Sequence, residues 1–393
     1  MNTRTLIIEC GVAETRAALI ENDATLRFWF GPARGDEAKD VVPRAGRNFA
    51  GRVRAIDRSL NAAFVDVGDG LDAYLPLNKT NAPHITEGAL IGVVVKSPPR
   101  QGKGAVLKYL NDIDIARDAP GRLAPFHDAA IEAVMAIGEG VGEIIIDDGR
   151  ASAAVKSSSV KADITYEQHS VALFEVYDAQ SALETAFDRY APLTGGGNLV
   201  IDEVQALTAI DVDTGALSAS SPSRLREKIA IAAAYDAARQ ICLRNIGGHI
   251  VIDFPSISDK AASARFKDEL HKAMARIDGA GAFSFSKSGL FSFTAPHHAQ
   301  SVQERFTDAA PAAPSPGRRF TLDWQAKSAI RSLEHRLRAA PRAVLHLRLG
   351  LPLHDYMKAR AIWFDRLRER YGARFDSVAD NKIEERDFEL SEQ

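Results

Sequence analysis

The sequence has very little cysteine: Cys10 and Cys242 are the only two among 393 residues. Two cysteines so far apart exclude a disulfide framework and a four-cysteine zinc site, and they favour a reducing compartment. No apolar run approaches the ~18 residues that a membrane-spanning helix requires. The N-terminal segment also lacks the apolar core and cleavage site of a secretory signal. These absences predict a cytoplasmic protein with no membrane span.

The net charge of −3 offers no general excess of basic residues for binding nucleic acid. The charge is unevenly distributed, however. Residues 47–110 contain nine basic and five acidic side chains, residues 318–393 contain sixteen and twelve, and the remainder is strongly acidic. This distribution suits an enzyme whose carboxylates hold metal while other modules bind a polyanion. Ordinary variation in surface charge explains the same numbers equally well.

Hydrophobic patterning predicts strands in the first part of the chain. Three alternating runs in residues 1–44 predict an antiparallel meander. Five short strand-like runs follow between Asn48 and Leu110, separated by turns rich in Gly, Asp, Asn and Pro. Five strands in so short a segment indicate a small closed barrel, because closure removes exposed sheet edges.

Helices and strands alternate in the rest of the chain. The patterns predict helices over FHDAAIEAVMAIG and SALETAFDRY, a hairpin from NLVIDEV and ALTAIDVDTG, and a long helix over residues 223–244. The apolar strand HIVIDF comes next, then another helix. The Pro- and Ala-rich segment around 308–319 indicates a linker. Beyond it we expect a small α/β unit with a single helix over DYMKARAIWFDRLRERY.

Three aspartates are the strongest candidates for chemistry. Asp211 and Asp213 lie two apart in a predicted strand, so both side chains point to one face. Asp253 lies near the C-terminal end of HIVIDF. Mg²⁺ prefers oxygen ligands and needs only one or two carboxylates when water and substrate phosphate complete its coordination. Strand-terminal aspartates more commonly cap a following turn, so spacing alone leaves both interpretations open.

A resemblance favours the metal interpretation. The stretch ALTAIDVDTGAL, preceded by GGGNLVIDEVQ and followed by LRNIGGHIVIDF, resembles the signature of the ribonuclease E/G family. The resemblance implies that Asp211 and Asp253 hold a catalytic Mg²⁺. It also matches Asp213 to a third catalytic position that is usually Asn and that orients the site.

The resemblance extends to the predicted barrel. GRVRAIDRSLNAAFVDVGDGLDAYLPL is similar to the family's OB-fold of the S1 type. It implies that Phe64 and Tyr74 stack on bases of single-stranded RNA and that Lys103 meets the RNA backbone. Lys287, just before GLFSFTAP, keeps a positive charge at a matching place and is a further RNA-binding candidate. From the local pattern alone, Phe64 would be a core residue.

The implied fold class is a mixed, multidomain α+β protein. It comprises an RNase H-like and DNase I-like α/β catalytic core, an inserted OB-fold (S1-like) β-barrel and a small C-terminal α/β domain. The RNase H-like subdomain covers 1–44 and 118–170, and the OB-fold covers 45–112. The catalytic DNase I-like subdomain covers 171–306, the linker 307–319 and the C-terminal domain 320–393.

Two features of the family pattern, a sensor domain and a zinc link, have no counterpart in the sequence. The family's domain that senses a 5′-monophosphate has no counterpart after the barrel, where the chain passes almost directly onward. The family's paired-cysteine zinc link is replaced by APHHAQSVQERFTDAAPAAPSPG. We therefore expect His297 and His298 to lie on the surface or contact RNA. A zinc-linked tetramer is not expected, and monomer and homodimer both remain open.

The surroundings of the aspartates also differ from the family. The family's GL-x-EMTR segment is GLFSFTAP, with Ser292 and Ala295 at its acidic and basic positions. KIAIAAAYDAA replaces a polar patch on the long helix, and Ser256 replaces a second aspartate. Such losses around a metal site can lower activity 10–100-fold. The sequence thus predicts a Mg²⁺-dependent endoribonuclease of single-stranded RNA. The alternative is a catalytically weak or inactive RNA-binding protein, and a scaffold with structural acidic residues is a third possibility.

Overall fold

The computed structural model describes residues 4–36, 42–100, 102–111, 113, 115, 117–123, 127–214, 222–286, 289–310 and 317–392. The chain forms two compact units, and each is assembled from segments that are separate in sequence. Unit 1 comprises Met1–Asp40, Phe126–Ala182 and Gln303–Gln393, and unit 2 comprises Val41–Pro125 and Leu183–Val302.

The N-terminal strands of unit 1 form the predicted meander. Strands β1 (Arg4–Cys10), β2 (Glu14–Glu21) and β3 (Ala24–Pro32) pair antiparallel in sequence order. Asn22 and Asp23 adopt positive φ between β2 and β3, a conformation that Asn and Asp tolerate in tight turns. The prediction for this segment is confirmed.

The predicted barrel is present in unit 2. Its strands are β4 (Asn48–Asp57), β5 (Ala62–Asp66), β6 (Asp72–Pro76), β7 (Leu90–Ser97) and β8 (Val106–Tyr109). They close in the order β4–β5–β6–β8–β7–β4, with β6 and β8 parallel, and β9 (Gly121–Arg122) pairs with β4. Inward-facing side chains fill the interior, among them Phe49, Val65, Leu75, Val93 and Leu107. Five strands and their closure are as predicted.

The chain then completes the sheet of unit 1. Helix α1 (Ala129–Ile137), β10 (Glu143–Ile146), α2 (Gly149–Lys156) and β11 (Asp163–Tyr166) follow one another. The strand order is β11–β10–β1–β2–β3, and β10 is parallel to β1. Asp128 and Asp148 cap the two helices by accepting hydrogen bonds from backbone N–H groups. The short helix α3 (Leu173–Val176) comes next.

A six-stranded sheet forms the other part of unit 2. The helix α4 (Ala179–Thr185) leads from unit 1 into unit 2. The strands and helices that follow in chain order are β12 (Tyr190–Pro192), β13 (Asn198–Glu203), β14 (Thr208–Asp213), α5 (Pro222–Arg244), β15 (Gly248–Asp253), α6 (Lys260–Met274), β16 (Gly281–Phe285) and β17 (Phe291–Ala295). The strand order is β12–β13–β14–β15–β17–β16, and only the β14–β15 pairing is parallel among those described. We call it the aspartate sheet because Asp211 and Asp253 lie on it.

One face of the aspartate sheet is buried and the other is open. Residues of α5 and α6, such as Ala234 and Leu270, share a hydrophobic cluster with Ile210 and Ile252 of the sheet. Strand alternation puts the intervening side chains on the opposite face. The predicted hairpin, long helix and apolar strand are all confirmed in this region.

One predicted helix is shorter than expected. The pattern SALETAFDRY predicts a helix to Tyr190, but α4 ends at Thr185 and Tyr190 begins β12. The buried guanidinium of Arg244 donates hydrogen bonds to the carbonyl oxygens of Thr185 at 3.2 Å and Asp188 at 2.7 Å. These tertiary hydrogen bonds satisfy the carbonyl groups where the helix stops.

The predicted linker begins and ends in strands. After α7 (Val302–Phe306), β18 (Thr307–Ala309) pairs antiparallel with β19 (Arg318–Phe320). Backbone pairing thus holds the two ends of the predicted linker 307–319 together, and its role as a linker stays a prediction. Residues 311–316 lie outside the described ranges.

The last segment has the expected α/β character. Its elements are α8 (Leu322–Ala339), β20 (Leu345–Leu349), α9 (Leu351–Lys358), α10 (Ile362–Tyr371), β21 (Phe375–Ala379) and β22 (Phe388–Glu392), with strand order β21–β20–β22. The single predicted helix over DYMKARAIWFDRLRERY is instead the end of α9 followed by α10. The domain boundaries implied by the resemblance stay predictions.

Candidate metal centre and nucleic-acid interface

The strand β14 carries two of the three predicted catalytic aspartates. Its side chains alternate strictly between buried and exposed, with Thr208, Ile210 and Val212 in the core. Asp211 and Asp213 therefore share the open face, as their spacing predicts. The local pattern, not a special backbone geometry, presents both carboxylates to solvent.

The structure brings Asp253 beside Asp211. The two residues are direct register partners on the parallel strands β14 and β15. Both are exposed, and the buried pair Ile210 and Ile252 precedes them on the opposite face. Adjacent strands lie ~4.8 Å apart, so the two side chains leave the same face as close neighbours. This juxtaposition joins positions separated by more than forty residues in sequence.

The donor set fits a hard divalent cation. Two neighbouring carboxylates supply the oxygen ligands that Mg²⁺ prefers, and water or phosphate oxygens complete its octahedron. Within the ranges that the structure describes, no group of three or more His, Cys, Asp or Glu side chains is arranged to hold a metal. The arrangement therefore suits an ion that keeps several water ligands better than a fully enclosed structural metal.

A tight turn supports the end of β14. The turn between β12 and β13 is closed by hydrogen bonds from Leu193 N to Gly197 O and from Gly196 N to Leu193 O. A Cβ atom at Gly197, whose φ is +91°, would lie 2.3 Å from the carbonyl oxygen of Asp213. Glycine is required there because of both the left-handed backbone and this close approach. The turn thus fixes the backbone beside Asp213.

The long helix α5 has a packing role in this region. Its alanine-rich stretch, which stands in place of the family's polar patch, lies in the core with Ala230, Ala233 and Ala237 fully buried. Asp236 on the same helix is buried and accepts hydrogen bonds from Thr194 N at 2.7 Å and Thr194 Oγ1 at 3.2 Å. The helix therefore holds the β12–β13 turn.

The barrel presents the two predicted base-stacking residues together. Phe64 on β5 and Tyr74 on β6 are register partners, with ring centroids 6.4 Å apart in an edge-to-face arrangement. Ala63 and Val65 point into the barrel and are fully buried, whereas Phe64 is only partly buried. The alternative interpretation of Phe64 as a core residue is therefore wrong, because strand alternation turns it outward.

Lys103 lies on the loop between β7 and β8. It is exposed, and its backbone pairs with that of Arg100 in a narrow bridge. A Cβ atom at Gly104 would lie 2.1 Å from the carbonyl oxygen of Asp72, at the start of β6. The loop therefore packs directly against the strand that carries Tyr74. Lys287, the fourth RNA-binding candidate, lies outside the described residues.

His297 is not a simple surface residue. Its ring fills the space beside Gly247 and Gly248, where an added Cβ atom would come within 2.5 Å and 2.9 Å of the ring nitrogens. Its Nε2 also contacts the guanidinium of Arg100 on the barrel loop. His297 is half-buried and His298 is exposed, and the expectation that they contact RNA stays a prediction. Gly247 and Gly248, at the start of β15, thus leave space for the His297 ring. The sequence pattern did not predict this contact.

The fold and site define a mixed α/β protein with a five-stranded barrel and an exposed pair of carboxylates on adjacent strands. Residues 113–295 match the Ribonuclease E/G family. The chain is 27% identical to Ribonuclease E of Escherichia coli over 261 residues, which is 62% of this chain and 24% of that protein. Over residues 113–295 the chain is therefore similar to the ribonuclease E/G family.

Other relatives are similar to the chain over shorter segments. The chain is 35% identical to the chloroplastic Ribonuclease E/G-like protein of Arabidopsis thaliana over 109 residues, 27% of this chain and 11% of that protein. It is 31% identical to Ribonuclease G of Salmonella typhimurium over 148 residues, 35% of this chain and 29% of that protein. The matched segments thus span less than a third of these relatives.

The helices were also compared with the requirements of a membrane span. None of those in the described ranges is long and apolar enough to cross a bilayer.

Proposed function

We propose that this chain is a Mg²⁺-dependent endoribonuclease that hydrolyses phosphodiester bonds in single-stranded RNA. The observation that carries the proposal is the register pairing of Asp211 with Asp253 on the open face of the aspartate sheet. The ribonuclease names of the relatives agree with it. In fold terms, we assign the barrel to the S1-like OB-folds, the aspartate sheet to a DNase I-like subdomain and the sheet of unit 1 to an RNase H-like one.

In this proposal Asp211 and Asp253 hold the metal, and Asp213 orients groups beside it. A bound Mg²⁺ would activate a water molecule and neutralise charge on the phosphoryl oxygens. The exposure of both ligands leaves one side open for a phosphodiester. The turn at Gly197 keeps the Asp213 end of β14 in a fixed position.

The barrel is proposed to bind the RNA strand. Phe64 and Tyr74 offer adjacent aromatic surfaces, and each stacked base contributes ~1–3 kcal/mol with little sequence preference. Lys103 is exposed on the loop that packs against β6, where it can pair with a phosphate. This combination favours single-stranded over double-stranded RNA, because the bases of a duplex are already stacked on one another.

End recognition and assembly are proposed to differ from the family pattern. The chain runs from the end of β8 at Tyr109 to the start of α1 at Ala129, a connection much shorter than a domain. We therefore expect little preference between 5′-monophosphorylated and 5′-triphosphorylated RNA. The replacement of the zinc link suggests a monomer or homodimer. Cys10 is buried and Cys242 is partly exposed, and two such distant cysteines suit the cytoplasm.

The first test is a cleavage assay. Purified protein is incubated with end-labelled, AU-rich single-stranded RNA in the presence of Mg²⁺ or EDTA. We expect cleavage with Mg²⁺ only, leaving 5′-phosphate ends, and a loss of about a thousandfold or more in Asp211→Asn and Asp253→Asn, since metal stabilisation of the reacting phosphate is worth several kcal/mol. Undiminished cleavage by both variants would reject the proposal.

The RNA interface is tested by binding. Phe64→Ala and Tyr74→Ala should each weaken the affinity for a single-stranded oligonucleotide by ~1–3 kcal/mol, measured by fluorescence anisotropy. Lys103→Ala should have a smaller effect that fades as salt rises. Tyr109→Ala, an aromatic on β8 that stacks on His84, is the matched control for a general loss of barrel stability. Equal losses in all four variants would contradict a specific stacking surface.

A second candidate function is RNA binding without efficient cleavage. It is favoured by the small number of metal-ligating side chains around the aspartate pair in the described ranges, with Ser256 exposed where the family has an acidic residue. Metal-independent binding of the same RNA with no product after long incubation would select this candidate. A protein that neither binds nor cuts RNA at low salt would support the scaffold interpretation.

A further inference from the structure

A continuous row of paired residues crosses the open face of the aspartate sheet. Tyr190 on β12 pairs with Val200 on β13, Val200 pairs with Asp211 on β14, and Asp211 pairs with Asp253 on β15. Register partners project from the same face of a sheet. The sheet therefore places the Tyr190 ring on the same surface as the two carboxylates.

Tyr190 is unusually exposed for a large aromatic side chain. It has 53% of its surface accessible, whereas its neighbour Ala191 is fully buried in the opposite face. Phe283 and Phe285 on β16 are also exposed, but their ring centroids lie 6.0 Å and 5.0 Å from that of Phe291 in the core. Those two rings extend a hydrophobic cluster, and Tyr190 faces outward beside polar groups.

An ion pair holds the Tyr190 ring in place. Arg189 donates two hydrogen bonds to Asp202, at 2.6 Å and 2.7 Å, in the planar fork geometry that fixes a guanidinium. Its Cζ lies 5.6 Å from the centroid of the Tyr190 ring, and its Nη1 donates to Tyr190 Oη at 3.3 Å. The ring is therefore oriented before any ligand arrives, which lowers the entropy lost on binding.

The backbone under Tyr190 is also anchored. Arg244 at the end of α5 binds the carbonyl oxygens of Thr185 and Asp188, immediately before β12. Burial lowers the pKa of Arg244 to about 10, and it remains charged at neutral pH. The segment between α4 and Tyr190 is thus held in place by α5, the helix that also packs against the sheet.

The separation suits a nucleotide chain. With strands ~4.8 Å apart, Tyr190 lies ~10 Å from Asp211 and ~14 Å from Asp253 along the row. A phosphate held at the carboxylate pair would bring a base one or two nucleotides away to this distance. Aromatic faces bind bases by stacking, and larger bases stack more strongly.

We propose that Tyr190 is a base-stacking residue that holds a nucleotide flanking the phosphodiester at Asp211 and Asp253, with a preference for purines. The inference rests on the proposed function of that carboxylate pair. It adds a third aromatic contact that lies on the aspartate sheet itself, apart from the two on the barrel. Tyr190 thereby selects which phosphodiester occupies the carboxylate pair.

The test combines protein variants with substrates that lack single bases. Tyr190→Ala, Tyr190→Phe and the matched control Tyr166→Ala, an exposed tyrosine at the end of β11, are assayed for kcat/KM on one RNA. The assay is repeated on versions of that RNA with one abasic nucleotide at each position near the cut. We expect Tyr190→Ala to lower kcat/KM about 5- to 100-fold on the intact RNA. Tyr166→Ala should keep it, and Tyr190→Phe should lose clearly less than Tyr190→Ala, because it keeps the ring and loses only the hydrogen bond from Arg189.

The abasic series identifies the contact. At one flanking position, removing the base should lower the activity of the unmodified protein and leave Tyr190→Ala unchanged, because the variant no longer stacks on that base. A purine at this position should be cut faster than a pyrimidine by the unmodified protein only. The proposal would be overturned if Tyr190→Ala kept full activity, or if each abasic position lowered the activity equally. A loss of activity in Tyr190→Phe as large as that in Tyr190→Ala would also overturn it.

A binding arm separates this inference from the proposed function. The affinity of Asp253→Asn for the same RNAs is measured by anisotropy with Mg²⁺, with and without Tyr190→Ala. If the unmodified protein does not cleave RNA, the proposed function fails, and the binding arm still decides whether Tyr190 stacks on a base. An affinity independent of Tyr190 on every RNA would overturn the inference even if cleavage is observed.

Discussion

Two pairs of parallel strands carry carboxylates at their ends, and the two pairs differ in what surrounds them. On the aspartate sheet, Asp211 and Asp253 are exposed on β14 and β15. In unit 1, Glu9 follows Ile8 on β1 and Asp147 follows Ile146 of β10, and each has only 8% of its surface exposed. The same residue types in the same kind of position thus face solvent in one sheet and the protein interior in the other.

Arginines explain how the carboxylates of unit 1 can be buried. Arg16 binds Glu9 at 2.8 Å, Arg331 pairs with the buried Glu14, and Arg338 lies 3.7 Å from Asp147. Buried carboxylates require such partners because an unpaired charge in the interior is costly. The carboxylates of the aspartate sheet are solvated, so they can exchange water for a metal ion. Burial therefore separates structural acidic residues from those available for chemistry.

The largest effect should come from breaking a buried ion pair. Glu14→Ala leaves Arg331 buried without its carboxylate, so we expect the free energy of unfolding of unit 1 to fall by ~3–5 kcal/mol. All three tryptophans, Trp29, Trp324 and Trp363, lie buried in unit 1. Urea unfolding followed by tryptophan fluorescence therefore reports on this unit.

The exposed aspartate Asp253 is the control for this prediction. Asp253→Asn should change the free energy of unfolding by no more than ~0.5 kcal/mol, because the side chain is solvated. Circular dichroism of the whole chain is the suitable measurement for unit 2. A similar loss of stability in the two variants would show that exposure does not separate the two kinds of carboxylate.

The buried carboxyl of Asp147 should make the free energy of unfolding depend on pH. Burial and the nearby Glu9 raise the pKa of Asp147 to about 7, against ~3.9 in an unfolded chain. Below about pH 4 both states keep the proton. As the pH rises to about 7, the unfolded state loses its proton first, so stability should fall by on the order of 1 kcal/mol per pH unit.

Asp147→Asn should remove this part of the slope. The amide oxygen can still accept the hydrogen bond from Cys10 N, which is 2.7 Å long in the parent, and the side chain no longer ionises. The variant should therefore gain stability relative to the parent as the pH rises from about 4 to 7. Parallel stability curves for the two proteins in urea unfolding would refute the assignment.

The smallest effect is expected at Asp213, on the same exposed face as Asp211 and Asp253. Asp213→Asn introduces the residue that the resemblance implies at this position, and cleavage should change by less than about tenfold. Asp213→Ala, which removes the polar group, should lower cleavage about 10–100-fold, as for other residues that support metal sites. If Asn and Ala lower cleavage equally, Asp213 acts through its charge and belongs with the metal ligands.

Much of the fold was predictable from local pattern. Alternation along β14 placed Asp211 and Asp213 on one face, and the turn-rich spacing between Asn48 and Leu110 predicted a five-stranded barrel. These predictions succeed because burial on one face of a strand imposes a period of two residues on the sequence. The family resemblance then favoured metal binding over turn capping as the interpretation of the aspartates.

Other features depended on contacts between distant segments. The helix is interrupted between α9 and α10 although no glycine or proline lies there. Met357 before the interruption and Trp363 and Phe364 after it all pack in one hydrophobic core. His297 packs beside Gly247 although fifty residues separate them. Tyr190 was assigned to a helix because SALETAFDRY has a helical pattern, and its exposure emerges only from strand pairing.

The sequence by itself determined which residues alternate, most of the segments that form strands and helices, and which aspartates share a strand. These properties follow from side-chain burial within a few residues. Only the tertiary structure decided that Asp253 lies beside Asp211, that Tyr190 shares their row and that Glu9 and Asp147 are each buried beside an arginine. Register between strands and the depth of burial are set by packing across the whole unit, and no local pattern contains them.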